Sequence, residues 1–405
     1  MHVLIAGGGI GGLTAALALH AAGRRVTVCE AVSRLAPLGV GLNILPHGAG
    51  ALHGLGLGPA MGRLAIQTRA IEYRTRFGHV LTSDPRGTEA GFAHPQYSVH
   101  RGRLQVMLRD ALIQRAGADA FRTGHRLAGY DDHGDRVAGR FETADGPVTL
   151  EADCLIGADG FHSMLRRLLH PDEGPAHAEG MVLYRGAREQ APFGDGRTMF
   201  IAGNHDLKFV CYPISEQARQ RGRSLVNWVA EVRVDRPRRA AEADWTLEAD
   251  AGFADAFDGF AMPDVDIVAL MRGTERVTVY PMIDRDPLAA WGRGRVSLLG
   301  DAAHPMYPIG ANGASQAILD ADALARHLRG GDVSAGLRAY EAERLPATRD
   351  VVLANRQSGP EAVLDIADAR LTGPDDRAAA LLTPDEARAV AAGYRGVAGF
   401  ARGDE

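Results

Sequence analysis

Three short stretches of this chain combine residue types and spacings that could do chemistry. The first is Ala6-Gly7-Gly8-Gly9-Ile10-Gly11-Gly12, between an apolar strand-like run and an Ala/Leu-rich helical segment. Gly7 permits a tight turn, Gly9 lets backbone approach a pyrophosphate, and Gly12 allows close helix–strand packing. The helix N-terminus then offers unpaired N–H groups and a positive dipole end to phosphates. Glu30, followed by Ala31, ends the next strand at the distance expected of an acid that bonds a ribose hydroxyl. Such an acid disfavours a 2′-phosphate but does not separate FAD from NAD. The second stretch is Cys154-Leu-Ile-Gly-Ala-Asp159-Gly160-Phe-His-Ser163-Met-Leu-Arg166. The third is Gly300-Asp301-Ala-Ala-His304-Pro305-Met-Tyr-Pro308-Ile-Gly310-Ala311-Asn312-Gly313. A carboxylate at the end of a parallel strand can accept hydrogen bonds from ribose or ribityl hydroxyls. The loop after Asp301 delivers a second helix N-terminus, whose N–H groups could meet the anionic N1/O2 edge of a reduced flavin. Ser163 sits in no G-x-S-x-G elbow, no HExxH occurs, and no Ser-His-Asp set stands out. The chemistry is therefore expected of a cofactor, with the protein supplying position, dryness and charge.

The elements that must position these residues follow from periodicity. Residues 2–6, a helix over 13–22 and a strand over 25–29 form one β-α-β unit. Further strands are expected over 40–45, 154–157 and 296–299, and Pro46 opens a short helix. Residues 69–83 alternate around Gly78 and read as a hairpin. Residues 101–116 are helical through Leu104, Leu108 and Leu112, and 125–151 form a small meander. Strand-like runs at 181–184, 198–202, 209–214, 225–232 and 274–282 form an antiparallel sheet. From Ala314 the chain reads as mostly helical.

Composition narrows the class. The 405 residues are 46 % apolar and 23 % charged, with a formal net charge of −5, as in an ordinary globular protein. No basic patch suggests a nucleic-acid partner. The densest arginine group, Arg233, Arg236, Arg238 and Arg239, reads as a solvated loop. The three cysteines, Cys29, Cys154 and Cys211, sit in apolar runs, so neither a disulfide framework nor a metal site is expected. That usage points to a reduced, cytoplasmic compartment. No run is apolar enough to span a membrane, and no signal peptide is expected.

Together, these motifs resemble the single-component FAD-dependent aromatic hydroxylases, the family of salicylate and p-hydroxybenzoate hydroxylases. Asp159, Gly160, Ser163 and Arg166 match its Asp-Gly-x-x-Ser-x-x-Arg. Gly300 to Pro305 match its Gly-Asp-Ala-Ala-His-Pro. Arg101, Leu104 and Leu108 match a helix whose arginine approaches FAD. The resemblance covers residues 1–355. It is closest to the phenazine-biosynthesis branch, through 37–43, Glu89 to Gly102, Ser224 to Val229 and Met306 to Gln316. That branch converts 5-methylphenazine-1-carboxylate by replacing the carboxylate with a hydroxyl. The family commonly has Asn where this chain has His47, which either caps a helix or faces the flavin. Halogenases of the same fold carry a Trp-x-Trp-x-Ile-Pro motif that is absent here.

The resemblance implies that NAD(P)H reduces FAD, that O2 then gives a C4a-hydroperoxyflavin, and that its distal oxygen attacks an electron-rich ring. FAD contacts are expected at Gly7, Gly9, Ile10, Gly11, Gly12, Glu30, Ala31, Arg101, Asp159, Gly160, Gly300, Asp301, Ala311, Asn312 and Gly313. Tyr212, Pro305 and Gly310 are expected beside the reacting face. Arg185 and Arg197, with Tyr212, are expected to hold a small aromatic substrate, a carboxylic acid of fused-ring, phenazine-like type. Hydroxylation with loss of CO2 and simple hydroxylation both stay open, as do NADH versus NADPH and the oligomeric state. The implied fold is mixed α/β: a Rossmann-like FAD-binding domain over 1–68, 95–175 and 283–355, an inserted antiparallel substrate domain over 69–94 and 176–282, and C-terminal helices over 356–405. Two other classes compete. An NAD-dependent dehydrogenase would lack the paired Asp159 and Asp301 motifs and would not be yellow. A non-catalytic flavin-binding regulator would show no substrate-stimulated NAD(P)H consumption.

Overall fold

The computed structural model of the chain describes residues 1–36, 39–234, 251–357 and 359–397. Pro37, Leu38, Arg236, Arg238, Arg239 and the last eight positions of the expected C-terminal helical tract lie outside the described residues. Arg233 ends a strand and pairs with Asp206.

The N-terminal layer is a five-stranded parallel sheet. Strand β1 (His2–Ala6), helix α1 (Ile10–Ala21) and strand β2 (Arg25–Cys29) form its first unit. The strand order is Val296–Leu298, Cys154–Gly157, β1, β2, Phe121–Arg122. Val3, Leu4 and Ile5 are wholly buried, because a parallel sheet covered on both faces leaves no polar side. Helix α1 is likewise apolar all round and buries Leu13, Ala15, Ala16 and Leu19 against the helix Gly313–His327. The meander Arg126–Asp132, Val137–Thr143 and Gly146–Ala152 lies against the sheet through Phe141 and Leu4. The three cysteines are free and buried. Desolvation pushes the Cys29 and Cys154 thiols up to about 12.

The second layer is a seven-stranded sheet, ordered Thr278–Asp284, His177–Gln190, Ser224–Arg233, Leu207–Pro213, Thr198–Gly203, Ala70–Arg74, Val80–Pro85. The hairpin over 70–85, with its turn at Gly78 (φ 81°), is part of it. The sheet is antiparallel except at one junction. Ala70–Arg74 runs parallel to Thr198–Gly203. Only a hairpin forces neighbours antiparallel, and these two strands come from distant parts of the chain. One face packs Phe200, Phe209 and Trp228 against Phe257 of the short helix Ala251–Phe257, and Trp228 donates to Thr274 Oγ1 at 2.9 Å. The other face packs partly on Tyr307 and Ile309 and partly on Val363, Leu364 and Leu382 of the C-terminal helices.

A small antiparallel sheet joins the two layers. It consists of Gly41–Ile44, Gln96–His100 and Ile66–Thr68. The expected strand at 40–45 therefore exists but lies outside the parallel sheet. Its Gly41 is clamped: the N–H donates to Asn227 Oδ1 at 2.6 Å, and the carbonyl accepts from Arg185 at 3.0 Å. A Cβ there would stand 2.7 Å from Ile214 Cγ2, which is why the approach requires glycine. No helix among the described residues is long and apolar enough to cross a membrane.

Candidate active site

The glycine loop is built as its spacing predicts. Gly7 has φ 109°, and a Cβ there would lie 2.2 Å from the Ala158 carbonyl oxygen. Gly12 is equally tight, 2.1 Å from Gly7 O, whereas a Cβ on Gly9 would meet nothing within 4 Å. The loop is thus packed where it turns and open where a phosphate would approach. Helix α1 has no side-chain cap at Gly9, so the first-turn N–H groups of Ile10 and Gly11 are left to a ligand or solvent. Gln105 holds the loop from the neighbouring helix Arg101–Ala116, donating to Gly8 O at 2.7 Å. Arg101 starts that helix with an exposed side chain beside Gly39. Glu30 does more than the sequence suggests. Its oxygens accept from the Gly8 and Val32 N–H groups at 2.8 and 2.9 Å, which fixes the loop. Each oxygen keeps a further lone pair for a hydroxyl.

The Asp159 and Asp301 motifs are physically joined. The Asp159 carboxylate turns inward and caps the helix Met164–Leu169: it accepts from the Ser163 hydroxyl, from Met164 N–H at 2.7 Å and from Leu165 N–H at 3.3 Å. Desolvation pushes this carboxyl up, opposed by those bonds. The carboxylate expected at the cofactor therefore also caps this helix. The backbone at 158–160 still faces the Gly7 turn. Arg166, 1 % exposed, donates to the Ala302 and Ala303 carbonyls at 3.0 and 2.8 Å and forks onto Glu173. The arginine of one motif thus grips the loop of the other.

Sequence reasoning missed the residue beneath that loop. Asp320, wholly buried on the helix Gly313–His327, accepts from Gly300 N–H at 3.0 Å, from His304 Nε2 and from Arg344 Nε at 2.8 Å. Arg344 also donates to Gln316. Burial alone would raise the Asp320 carboxyl, but His304 and Arg344 outweigh it and hold the group down to about 2. A signal was available: Gln316 and Asp320 stand four apart within a run of Ala, Ile and Leu, hence on one helix face.

Above this anchor the loop turns into a cavity of about 860 Å³ between the loop and the second sheet. Asp301 lines it with an exposed carboxylate that has no hydrogen bond to another described residue. Gly310 (φ 66°) and Ala311 (φ 57°) form the turn, and Ala311 is the one non-glycine with positive φ among the described residues. Such a residue costs about 1–2 kcal/mol. Its neighbours hold it there, with Asn355 Nδ2 donating to Tyr307 O at 3.0 Å. Gly313 and Ala314, at the uncapped start of their helix, also line the cavity, and Asn312 is buried just before them. Pro305 does not reach the cavity: the pull of Asp320 on His304 buries it, and Pro308 stands at the surface instead. Burial takes the His47 imidazole down to about 4, with Arg344 adding to the effect.

Two of the three substrate residues meet here. Arg185 and Tyr212 line the cavity wall. Arg185 Nε is buried without a hydrogen-bond partner. Desolvation pushes the Tyr212 hydroxyl up to about 12, with Arg185 opposing, so it stays protonated. Arg197 is a correction. It lies in the turn just before the strand Thr198–Gly203, bonded to Gln67 O at 2.9 Å and 3.7 Å from Glu89, outside the cavity lining. Its strand neighbour Thr198 is the first ladder residue, so position 197 belongs to the turn held by Asp195.

These residues fit FAD. The open face at Gly9 and the helix N-terminus suit a pyrophosphate, Asp301 suits a ribityl hydroxyl, and the uncapped turn at 310–313 suits the anionic edge of the ring.

The comparisons agree with this geometry. A family model described as FAD binding domain matches residues 1–355. Phenazine 1,6-dicarboxylic acid hydroxylase PhzS of Lysobacter antibioticus is 44% identical over 365 residues, 87% of this chain and 89% of that protein. 3-Amino-4-hydroxybenzoate 2-monooxygenase PtnB3 of Streptomyces platensis is 33% identical over 372 residues, 89% and 88% of the two chains. Among solved structures, Klebsiella pneumoniae HpxO complexed with FAD and uric acid superposes with a TM-score of 0.76 at 26% identity, covering 98% of this chain and 96% of that one.

Proposed function

The chain belongs to the FAD binding domain family as an FAD-dependent aromatic monooxygenase using NAD(P)H and O2, and from that premise we propose that its substrate is a fused-ring, phenazine-like carboxylic acid, oxygenated at the carbon bearing the carboxylate with loss of CO2. The observation that carries this reading is Arg185: a guanidinium on the cavity wall whose buried Nε lacks a partner. An unpaired buried donor is costly, and a planar carboxylate matches the guanidinium fork. The relative named for phenazine 1,6-dicarboxylic acid supports the ring class. The cavity is at the large end of the roughly 300–1,000 Å³ typical of ligand sites, consistent with a flavin ring and an aromatic acid sharing it.

Bound FAD, once reduced by NAD(P)H, supplies an electrophilic oxygen atom derived from O2. The chain's own residues do the rest. Arg185 fixes the carboxylate. Tyr212 keeps its proton and is a donor beside Arg185. Leu183, Val210 and Val229 give the wall an apolar surface against which a ring can lie. Once oxygen has added at the carboxylate-bearing carbon, loss of CO2 restores aromaticity. A second reading, hydroxylation at a carbon bearing hydrogen, is favoured by the relative named a benzoate 2-monooxygenase; there loss of a proton restores the ring.

Turnover of a carboxyl-13C phenazine acid under 18O2 separates the two. Released 13CO2 with one 18O atom in the product is the expected result. A product that keeps its labelled carboxylate overturns the decarboxylation and leaves the hydroxylase.

A further inference from the structure

The floor of the cavity carries a charged cluster that the scheme above does not use. Lys208, Glu231 and Glu361 have side chains only 5, 7 and 11% exposed. The Lys208 ammonium reaches Glu231 Oε2 at 2.8 Å and also contacts Glu361 Oε2. Glu231 and Glu361 both line the cavity. Lys208 and Glu231 face each other across the sheet ladder, whereas Glu361 comes from the separate turn Gly359–Glu361. One ammonium cannot neutralise two buried carboxylates, and an uncompensated charge in an apolar setting is costly. The site is therefore set up to take up one proton.

The register places this cluster relative to Arg185. Arg185 stands opposite Val229, and Glu231 lies two residues farther along the same strand, on the same face. Such diagonal neighbours are about 7–8 Å apart, roughly the reach of an aromatic ring. An acid whose carboxylate lies on Arg185 would extend across Val229 toward Glu231 and Glu361.

We propose that the aromatic acid taken by this site also carries a ring O–H or N–H, as a hydroxyphenazine acid does, and that Glu361 accepts that proton, a role that rests on the aromatic-acid reading above. In the step, the substrate's heteroatom–hydrogen bond breaks and an O–H bond forms on the Glu361 carboxylate. The electron pair left on the heteroatom conjugates into the ring, making the attacked carbon more electron-rich, and no oxidant is consumed. Lys208 stays charged, because Glu231 and Glu361 outweigh the desolvation that would strip its proton. Desolvation raises the Glu361 carboxyl while Lys208 opposes it, so the group binds a proton more readily than an exposed glutamate. The charged and titratable groups around it are Lys208 and Glu231 from the sheet, His205 from the turn before Leu207, Tyr73, Asp84 and Arg86 from the hairpin and the turn after it, and Arg388 from the helix Pro384–Val397, which lines the same cavity.

The test is the FAD-loaded Glu361→Gln variant, with single-turnover product formation measured across pH on an aromatic acid carrying a free phenolic O–H. At neutral pH the variant is expected to form product about a hundredfold more slowly than wild type. Its rate should then rise about tenfold per pH unit toward the phenol's own pKa, where solvent removes the proton. Reduction of its flavin by NAD(P)H should match wild type. An unchanged rate, or a loss that does not vary with pH, overturns the role. Wild type that forms no hydroxylated product, with or without its carboxylate, overturns the substrate reading itself.

Discussion

Asp320→Ala is expected to cost about 3–5 kcal/mol of folding stability, the range for breaking a buried ion pair from one side. Arg344 would be left buried without its carboxylate, and the Gly300 N–H and His304 Nε2 would lose their acceptor. Asp320 is held down to about 2 from a reference of 3.8. Its folded value lies below its unfolded one, so its contribution is fully present above about pH 4 and fades as pH falls toward 2. The gap between wild type and variant in denaturant melts should follow that window. The loop carrying Asp301 hangs on this anchor, so FAD content should fall as well. A variant within about 1 kcal/mol of wild type would show that the network is not what holds the loop.

Asp301→Ala separates binding from folding. Its side chain is exposed to the cavity and bonds nothing else described, so its loss should leave the apoprotein's melt unchanged. A hydrogen bond to a charged group is worth about 1.5–3 kcal/mol, which converts to a ten- to hundredfold weaker FAD complex. Titrating apoprotein with FAD and following flavin fluorescence measures this. Equal affinities in a folded variant would mean that Asp301 does not touch the cofactor.

What the sequence made legible follows a physical line. The glycine loop, the helix from Arg101 to Ala116 and the turn at 310–313 are local patterns, and local sterics fix them. Apart from the two-residue strand Phe121–Arg122, the strands of both layers were visible as apolar or alternating runs, but their partners were not. Nothing local says that Gly41–Ile44 pairs with Gln96–His100, or that the hairpin at 70–85 lies parallel to Thr198–Gly203. Side-chain partners were hidden for the same reason. Asp159 and Glu30 look like ligand acids at strand ends, and their oxygens are also engaged by nearby N–H and hydroxyl groups that only the folded turn brings close. Arg197 reads like Arg185, but one residue's difference in where the ladder starts leaves it in the turn before its strand. Asp320, Arg344, Lys208, Glu231 and Glu361 form contacts across tens to hundreds of positions, and apart from Asp320, set in an apolar run, each passes in sequence for an ordinary surface charge.

The central claim is that this cavity directs oxygen from O2 onto an aromatic acid held against Arg185. The most direct measurement is turnover of an aromatic acid with NADH and 18O2, scoring product mass and the amounts of NADH and O2 consumed. The account predicts one 18O atom per product molecule and equal consumption of NADH, O2 and substrate, with Arg185→Met diverting O2 to hydrogen peroxide. Unlabelled product, or substrate-stimulated NADH oxidation that yields only hydrogen peroxide in wild type, would contradict it.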